Sequence, residues 1–441
     1  MCERKKKMIH LQNNIFDRKD DVVYCWLFNI GIEQGWTTNC FKIKDGDEER
    51  VVQHMEEIML FLCKEQDILL LRQMPDIGFL EHMQRLGFAI PQIFCPKRQD
   101  NFKTITDLVL EDKELIAKLQ EYAKKTCIYL IPYGVTEKEE RLGKTCEMTL
   151  KGSSAYVSYK VNSKLYARKL AQKLHISCPE GIVCSSIEEV ENSWNKLHKQ
   201  FGRVVIKQIY GASGQGLHLV DDYNKLKRIL HILKRSEGEM GQWIVEGWYE
   251  EKKDLNAQLY LHEDGQVEVF SVNRQLLEET IYRGSTFPFA LPQQEMNNYI
   301  EQIERAGAAL YEEGVRGVVG IDSILTGKQM FPIIEINVRF TLSTYLSVLP
   351  RMFSNRCFQS IYYRMTSCDE LTYVRLEERL RTNKLLFDTA KKKGIFFYNQ
   401  GCMNKKMIGK VGRLFLVIVG EEWREVEKMQ IEVEKMIRKE E

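Results

Sequence analysis

No apolar run in this 441-residue sequence approaches the roughly 20 residues a membrane-spanning helix requires. The longest, Ile68 to Leu71 and Leu414 to Val419, are the length of strands. The opening MCERKKKMIH carries positive charge but no apolar core, so no secretory signal is expected. None of the 12 cysteines stands in a C-x-x-C pair or in a Cys/His spacing suited to zinc. Scattered thiols in a chain this large fit a reducing cytoplasm. There is also little net charge: Lys+Arg 64 against Asp+Glu 62 leaves +2. That balance, with 10% aromatic residues, gives no field or stacking platform for nucleic acid. Low-complexity tracts and internal repeats are missing as well. Local basic runs exist at Arg4 to Lys7, at Lys225, Lys227, Arg228, Lys234 and Arg235, and at Lys391 to Lys393. Each reads as a solvated face, and together they can receive an acidic partner.

What is present is a soluble, multidomain composition, 44% hydrophobic and 29% charged, long enough for two to four domains. Residues 1–150 alternate short apolar runs with amphipathic stretches. Val22 to Ile30 and Ile68 to Arg72 read as strands, Val51 to Cys63 and Asp76 to Leu86 as helices, with Gly87 as a C-cap. That order implies a parallel α/β sheet. A fall in apolar density near Gly143 to Ser154 marks a boundary, and residues 151–352 form a second, α+β part. There, a helix from Tyr159 carries Asn162, Lys164 and Arg168, and the strand Arg203 to Tyr210 runs into GASGQG. Two hairpins follow, around HEDGQ and TGKQ, separated by a helix over Gln293 to Glu313. Residues 353–441 are expected to make a small α/β cap.

The second hairpin carries the most derivable chemistry. A loop at Thr326 to Gln329 places Asp322 opposite Ile333, with Glu335 one diagonal step away and Asn337 on the same face. Two carboxylates and an amide oxygen converge, and their mutual repulsion asks for a cation. Oxygen ligands with open positions suit Mg²⁺. An ordinary solvent-facing sheet surface is the competing reading.

In VVIKQIYGASGQG, Gly211, Gly214 and Gly216 permit close backbone approach, so N–H groups can point at phosphate oxygens. Ser213 adds a hydroxyl, and Lys207 puts a charge inside an apolar strand. The spacing matches neither the Walker A loop nor the dinucleotide fingerprint. Between loop and hairpin lies QWIVEGWYEEKKDLNAQLYL, where a strand ending at Glu246 gives way to an acidic loop. Backbone groups there can meet an adenine edge, and Asp254, or else Glu251, a ribose.

The succession Lys164, Lys207, glycine loop, Glu246, Asp254, Asp322 and Glu335-x-Asn337-x-Arg339 resembles the ATP-grasp superfamily over roughly residues 155–350. The resemblance implies two lobes clamping ATP and an acyl-phosphate reaction that releases ADP and phosphate. It implies that Lys164, Lys207, Gly211, Ser213, Gly214, Gly216, Glu246 and Asp254 bind ATP. Asp322, Glu335 and Asn337 are then ligands of Mg²⁺, two ions, with Mn²⁺ as a substitute. Arg339 would stabilise the transferring phosphoryl group or hold the substrate carboxylate. Many relatives carry an arginine two residues before the aspartate, where this sequence has Gly320. Arg274, Arg283 or Arg316 is left to supply that charge, with Arg274 preferred.

The flanks narrow the resemblance. DILLLRQMPD, IPYGVTEKEERLG, VNSKLYARKLAQKL and GKVGRLFLVIVG are similar to ATP-grasp ligases with an N-terminal pre-ATP-grasp domain. That subgroup holds butirosin-type ligases, which load L-glutamate onto an acyl carrier protein in antibiotic biosynthesis, and pheganomycin-type peptide ligases. The resemblance thus implies an amino-acid substrate, L-glutamate foremost, and an acyl carrier protein as partner. Ligation of soluble amino acids or peptides, and a non-catalytic ATP-binding regulator, stand as alternatives.

Overall fold

The computed structural model describes residues 22–36, 51–211, 216–327, 329–366, 372–403 and 411–438. Its N-terminal sheet is fully parallel, in the order Gln92–Phe94, Ile68–Leu70, Val22–Leu27, Cys127–Pro132, Thr149–Leu150. Alternate residues of Val22–Leu27 feed two different cores, Tyr24 and Trp26 one, Cys25 and Leu27 the other. A strand buried on both faces must be apolar throughout, which is why these runs lack alternation. The crossover helices start where short polar side chains cap them. Asp76 accepts from the Phe79 N–H, and Thr104 and Thr136 form capping boxes with Asp107 and Glu139.

The segment 51–63, expected as one amphipathic helix, is α-helical only over 51–53 and then turns into a 3-10 helix, Glu56–Phe61. Every residue of that helix is buried, because the strand Gly394–Asn399 covers its outer side. Glu57 Oε2 accepts the backbone N–H groups of Gln400 (2.5 Å) and Gly401 (2.9 Å), tying the two ends of the chain together. Burial raises this carboxyl from its ordinary 4.5 to about 7 despite those two bonds. The folded protein therefore keeps a proton that the unfolded chain releases. This contribution to stability is full below the unfolded value and drains as pH rises through about 7. Between pH 5 and 8, wild type is expected to lose roughly 3 kcal/mol more than E57Q in urea unfolding. Parallel pH profiles for the two proteins would remove the assignment.

Four antiparallel strands make a small lobe, ordered Gly181–Ser186, Met240–Gly247, Val204–Gln208, Leu217–Val220. Two helices, Ile187–Phe201 and Tyr223–Glu237, cover one face through Val190, Trp194, Leu197, Leu226, Leu230 and Leu233. Ser186 and Asp222 cap their starts, and Gly202 and Gly238 end them at φ +72° and +84°.

The central sheet has eight antiparallel strands. Their order is Met330–Asn337, Gly317–Thr326, Lys252–Leu261, Val267–Glu278, Ile281–Phe287, Cys357–Thr366, Val411–Gly420, Gly394–Asn399. Three strands from residues 353–441, expected as a small α/β cap, continue this sheet. The helix Gln293–Glu312 packs on one face through Tyr299, Ile303, Ala306 and Leu310. The other face shares a core with the N-terminal domain, including Trp26, Phe28, Tyr133, Tyr260 and Phe340. The single helix expected from Tyr159 is two, Ala155–Val161 and Lys164–Lys173. Asn162 breaks it, its Oδ1 accepting the Val338 N–H at 3.0 Å, and Ser163 caps the second helix. That break fixes Lys164 against the strand that carries Glu335. Among the described residues no helix is long and apolar enough to cross a membrane.

Candidate active site

In the hairpin Gly317–Thr326/Met330–Asn337, Leu325 pairs with Met330 and Ile324 with Phe331, as the loop predicts. The register then shifts between Ile324 and Asp322, so that Asp322 faces Glu335 directly rather than Ile333. Pro332 sits in this irregular stretch; it has no N–H for the ladder, and the Ser323 hydroxyl donates to its carbonyl at 2.7 Å. The bulge therefore brings the two carboxylates closer than the simple hairpin does.

Neutral amides hold the aspartate. Asp322 Oδ1 accepts from Asn256 Nδ2 (2.7 Å) and Gln275 Nε2 (3.0 Å), and Oδ2 from Asn337 Nδ2 (3.2 Å). Burial first, and the charge of Glu335 second, push the Asp322 carboxyl up to about 6, against the lowering effect of Asn256, Arg339 and Gln275. Asn256 and Gln275 are missing from the sequence-derived set. Their only signal is an amide within a strand, and the cross-strand register that joins them to Asp322 is a tertiary fact. The Lys164 ammonium lies 3.1 Å from Glu335 Oε1 and 3.0 Å from the Gly211 carbonyl. It thus links the hairpin to the root of the glycine loop.

Arg339 reaches the same place. Its Nη2 donates to Asn337 Oδ1 (2.8 Å), and its Nη1 to the Tyr133 hydroxyl (2.8 Å) and the Phe340 carbonyl (2.9 Å). Its Nε is ion-paired with Glu33. Asn337 Oδ1 spends one lone pair on Arg339 and keeps another. Two abutting carboxylates, one with a raised pKa, and an amide oxygen with spare capacity fit an oxygen-seeking divalent cation that keeps open positions.

Lys207 and Glu246 are paired at 2.5 Å, and Arg168 Nη1 holds the other Glu246 oxygen at 2.9 Å. Glu246 was expected to mark a nucleotide-binding hinge. Both its carboxylate oxygens are occupied, and in this state it fixes Lys207. Asp254 accepts from Lys252 Nζ at 2.6 Å and lies, by register, on the Asp322 face of the sheet, whereas Glu251 is exposed in the preceding turn. Gly216, at φ +77°, closes the loop, with Gln208 N–H donating to its carbonyl at 2.8 Å. A Cβ there would meet Gln208 Oε1 at 2.8 Å. Ser213 and Gly214 lie outside the described residues.

Arg274 is not brought to the site. It pairs with Leu255 and Thr286, while Asn273 and Asn256 share the row of Asp322. Alternation puts Arg274 on the opposite face, and its side chain is exposed. Arg283 is paired with Glu278, and Arg316 donates to the carbonyls of Tyr311 (2.9 Å) and Val315 (2.7 Å). Position 320 has no room for an arginine, since a Cβ there meets Thr341 Cγ2 at 2.7 Å and Gln258 Nε2 at 3.0 Å. The guanidinium at the carboxylates is Arg339.

Residues 161–343 match the model of the ATP-grasp domain, 55–148 that of the Pre ATP-grasp domain, and 375–432 that of the PGM1 C-terminal domain. The chain is 30% identical over 327 residues, 73% of each chain, to the [butirosin acyl-carrier protein]–L-glutamate ligase of Niallia circulans. It is 25% identical over 260 residues, 54% of this chain and 53% of the other, to the L-propargylglycine–L-glutamate ligase of Streptantibioticus cattleyicolor. Among solved structures, the ADP complex of an N5-carboxyaminoimidazole ribonucleotide synthetase superposes with TM-score 0.56 at 11% identity, covering 94% of this chain and 96% of that one. The L-amino acid ligase of Bacillus licheniformis does so with TM-score 0.54 at 11% identity, covering 95% and 98%. At that identity the likeness speaks for the fold alone. The fold, the order of matched domains and the level of identity to a curated ligase place this chain in the ATP-grasp ligase family, as an ADP-forming enzyme with an N-terminal pre-ATP-grasp domain.

Proposed function

We propose that this ligase activates the carboxylate of an amino acid, L-glutamate foremost, as an acyl phosphate and transfers the acyl group to an acyl carrier protein in antibiotic biosynthesis. The observation that carries the chemistry is the Asp322–Glu335 pair, face to face beneath Lys164 and Arg339. Support for the substrate and carrier comes from the likeness to the Niallia circulans ligase. Asp322, Glu335 and Asn337 would hold Mg²⁺, which neutralises charge on the transferring phosphoryl group.

The chain's own groups do the rest. Lys164 and Lys207 meet the phosphates, Asp254 holds the ribose, and the 211–216 loop excludes water from the acyl phosphate. Lys207 must then exchange Glu246 for a phosphate as ATP enters. A substrate carboxylate oxygen attacks the γ-phosphorus, the bond to the β-phosphate oxygen breaks, and ADP departs. The phosphopantetheine thiol, or an amine tethered to the carrier, then attacks the acyl carbon and phosphate leaves. The decisive assay is ADP release over an amino-acid panel with and without phosphopantetheinylated carrier, with intact-protein mass spectrometry of the carrier. AMP and pyrophosphate as products, or an unmodified carrier, would defeat the proposal. Carrier-independent amide formation would favour the second reading, ligation of soluble amino acids, which the Streptantibioticus cattleyicolor relative's name supports.

An acidic carrier calls for a basic surface. Lys227, Arg228, Lys234 and Arg235 are exposed on the helix Tyr223–Glu237, beside the solvent-facing Ile232. Reversing charge at Lys227, Arg228 and Lys234 together is expected to lower carrier-dependent turnover about tenfold at low salt while leaving ADP affinity intact. Equal loss of both would end the docking assignment.

A further inference from the structure

The setting of Arg339 is built by the N-terminal domain, and its donors can be counted. An arginine has five N–H groups. Nε faces Glu33, Nη1 serves Tyr133 Oη and the Phe340 carbonyl, and one N–H of Nη2 serves Asn337 Oδ1. Three are hydrogen-bonded, Nε is ion-paired with Glu33, and the remaining N–H is on Nη2, the nitrogen that holds Asn337. Glu33 and Tyr133 both come from the N-terminal domain, one in the 3-10 helix Ile32–Trp36, the other just past the strand Cys127–Pro132.

The junction is built tightly. The Phe340 N–H donates to the Tyr133 carbonyl at 2.8 Å. The Asn29 side chain brackets the Gly134 backbone, donating at 2.8 Å and accepting at 3.2 Å. At Gly134 a Cβ would lie 2.3 Å from Ile32 Cδ1 and 3.3 Å from Arg339 Cβ, so a side chain there pushes on Glu33's neighbour and on Arg339 together. Arg339 and Glu33 have side chains 8% and 7% exposed, so neither charge has water to fall back on. A guanidinium buried without its carboxylate is costly and seeks another anion. Here Asp322 and Glu335 are the anions within its field.

We infer that Glu33 is a positioning residue for phosphoryl transfer, holding Arg339 so that a single N–H is aimed at the reacting phosphate and the guanidinium is kept from collapsing onto Asp322 and Glu335. The inference rests on the reading of Arg339 as the group that meets the transferring phosphoryl. It makes the N-terminal domain part of the catalytic machinery rather than a neighbour of it.

The test is a double-mutant cycle on the full-length protein, E33Q, R339K and E33Q/R339K, followed by ADP release on whichever carboxylate wild type turns over. E33Q is expected to lower kcat about 10²-fold, the usual size of effect when a catalytic group is displaced by an ångström. The KM for ATP and calorimetric binding of Mg²⁺ with an ATP analogue of non-transferable γ-phosphate should stay within about threefold. E33D should restore part of kcat, and E33Q should cost nothing further in the R339K background. A loss in E33Q that persists undiminished with R339K, or one that raises KM and lowers analogue affinity in parallel, overturns the inference, as does unchanged kcat. Should E33Q fold poorly, Y133F, which removes a neutral acceptor of Nη1, is read the same way with a smaller expected loss of about tenfold. Choice of substrate is judged on wild type alone, so a wrong acyl donor and a wrong role for Glu33 give different results.

Discussion

Replacing Glu335 with glutamine is expected to remove turnover, by about 10³-fold or more, while the protein still folds and still binds nucleotide. Glu335 faces Asp322 across the hairpin and receives Lys164 Nζ at 3.1 Å. The glutamine keeps the shape but removes one of the two anionic ligands in a donor set of two carboxylates and an amide. Loss of metal-derived charge stabilisation in phosphoryl transfer amounts to several kcal/mol. Folding is spared because two opposing effects vanish together. The repulsion that helps hold the Asp322 carboxyl at about 6 disappears, and so does the bridge to Lys164. Lys164 retains the Gly211 carbonyl at 3.0 Å. The melting temperature of E335Q should therefore lie within a few degrees of wild type, while ADP release fails at every Mg²⁺ concentration. Activity that returns at saturating Mg²⁺ would sink the assignment of Glu335 as a ligand.

How this pair was legible in the sequence, and how it was misplaced, has one cause. Period-two alternation put Asp322, Glu335 and Asn337 on one face, and the structure keeps them there. Pairing counted from the loop outward assumes a regular ladder. Pro332 breaks the ladder, and a proline inside a strand carries that warning. Elements whose burial is one-sided, such as the helix Gln293–Glu312, were readable to within a residue. The segment 51–63 was not, because a distant strand, Gly394–Asn399, supplies the cover that turns an amphipathic pattern into a fully buried one. Asn256, Gln275, Glu33 and Tyr133 stayed hidden for the same reason. Each meets its partner across a sequence separation of 47 residues or more, as with Gln275 and Asp322. Arg274 shows the converse. Its place after a strand near the presumed centre made it attractive, and a single step of strand parity sends it to the wrong face.

The second large effect concerns stability. Glu246 is shared by Lys207 at 2.5 Å and Arg168 at 2.9 Å, and all three side chains are at least nine-tenths buried. Gly181 makes the arrangement possible, since a Cβ there would lie 2.5 Å from Glu246 Cγ. E246Q removes the only anion of the triad and leaves two buried cations. Uncompensated buried charge of this kind costs about 3–5 kcal/mol. The two cations are not equally exposed to the loss. Arg168 keeps the carbonyls of Pro179 (3.2 Å) and Gly181 (2.7 Å), whereas Glu246 is the one carboxylate paired with Lys207 among the described residues. The penalty should thus fall mainly on Lys207, and it should be relieved by taking that charge away. E246Q is expected to unfold at markedly lower urea, with hydrogen exchange accelerated across residues 181–247, and E246Q/K207M to recover more than half of the lost stability. If the double variant is less stable than E246Q, the triad is not what holds this lobe. Nucleotide affinity separates the two roles of the lysine. K207M alone keeps the Arg168–Glu246 pair and much of the stability, but should weaken ADP binding by about tenfold, the worth of one charge-assisted contact. In E246Q the lysine is freed from its competitor, so ADP should stabilise that variant more than it does wild type, a difference of opposite sign that a purely structural lysine would not produce.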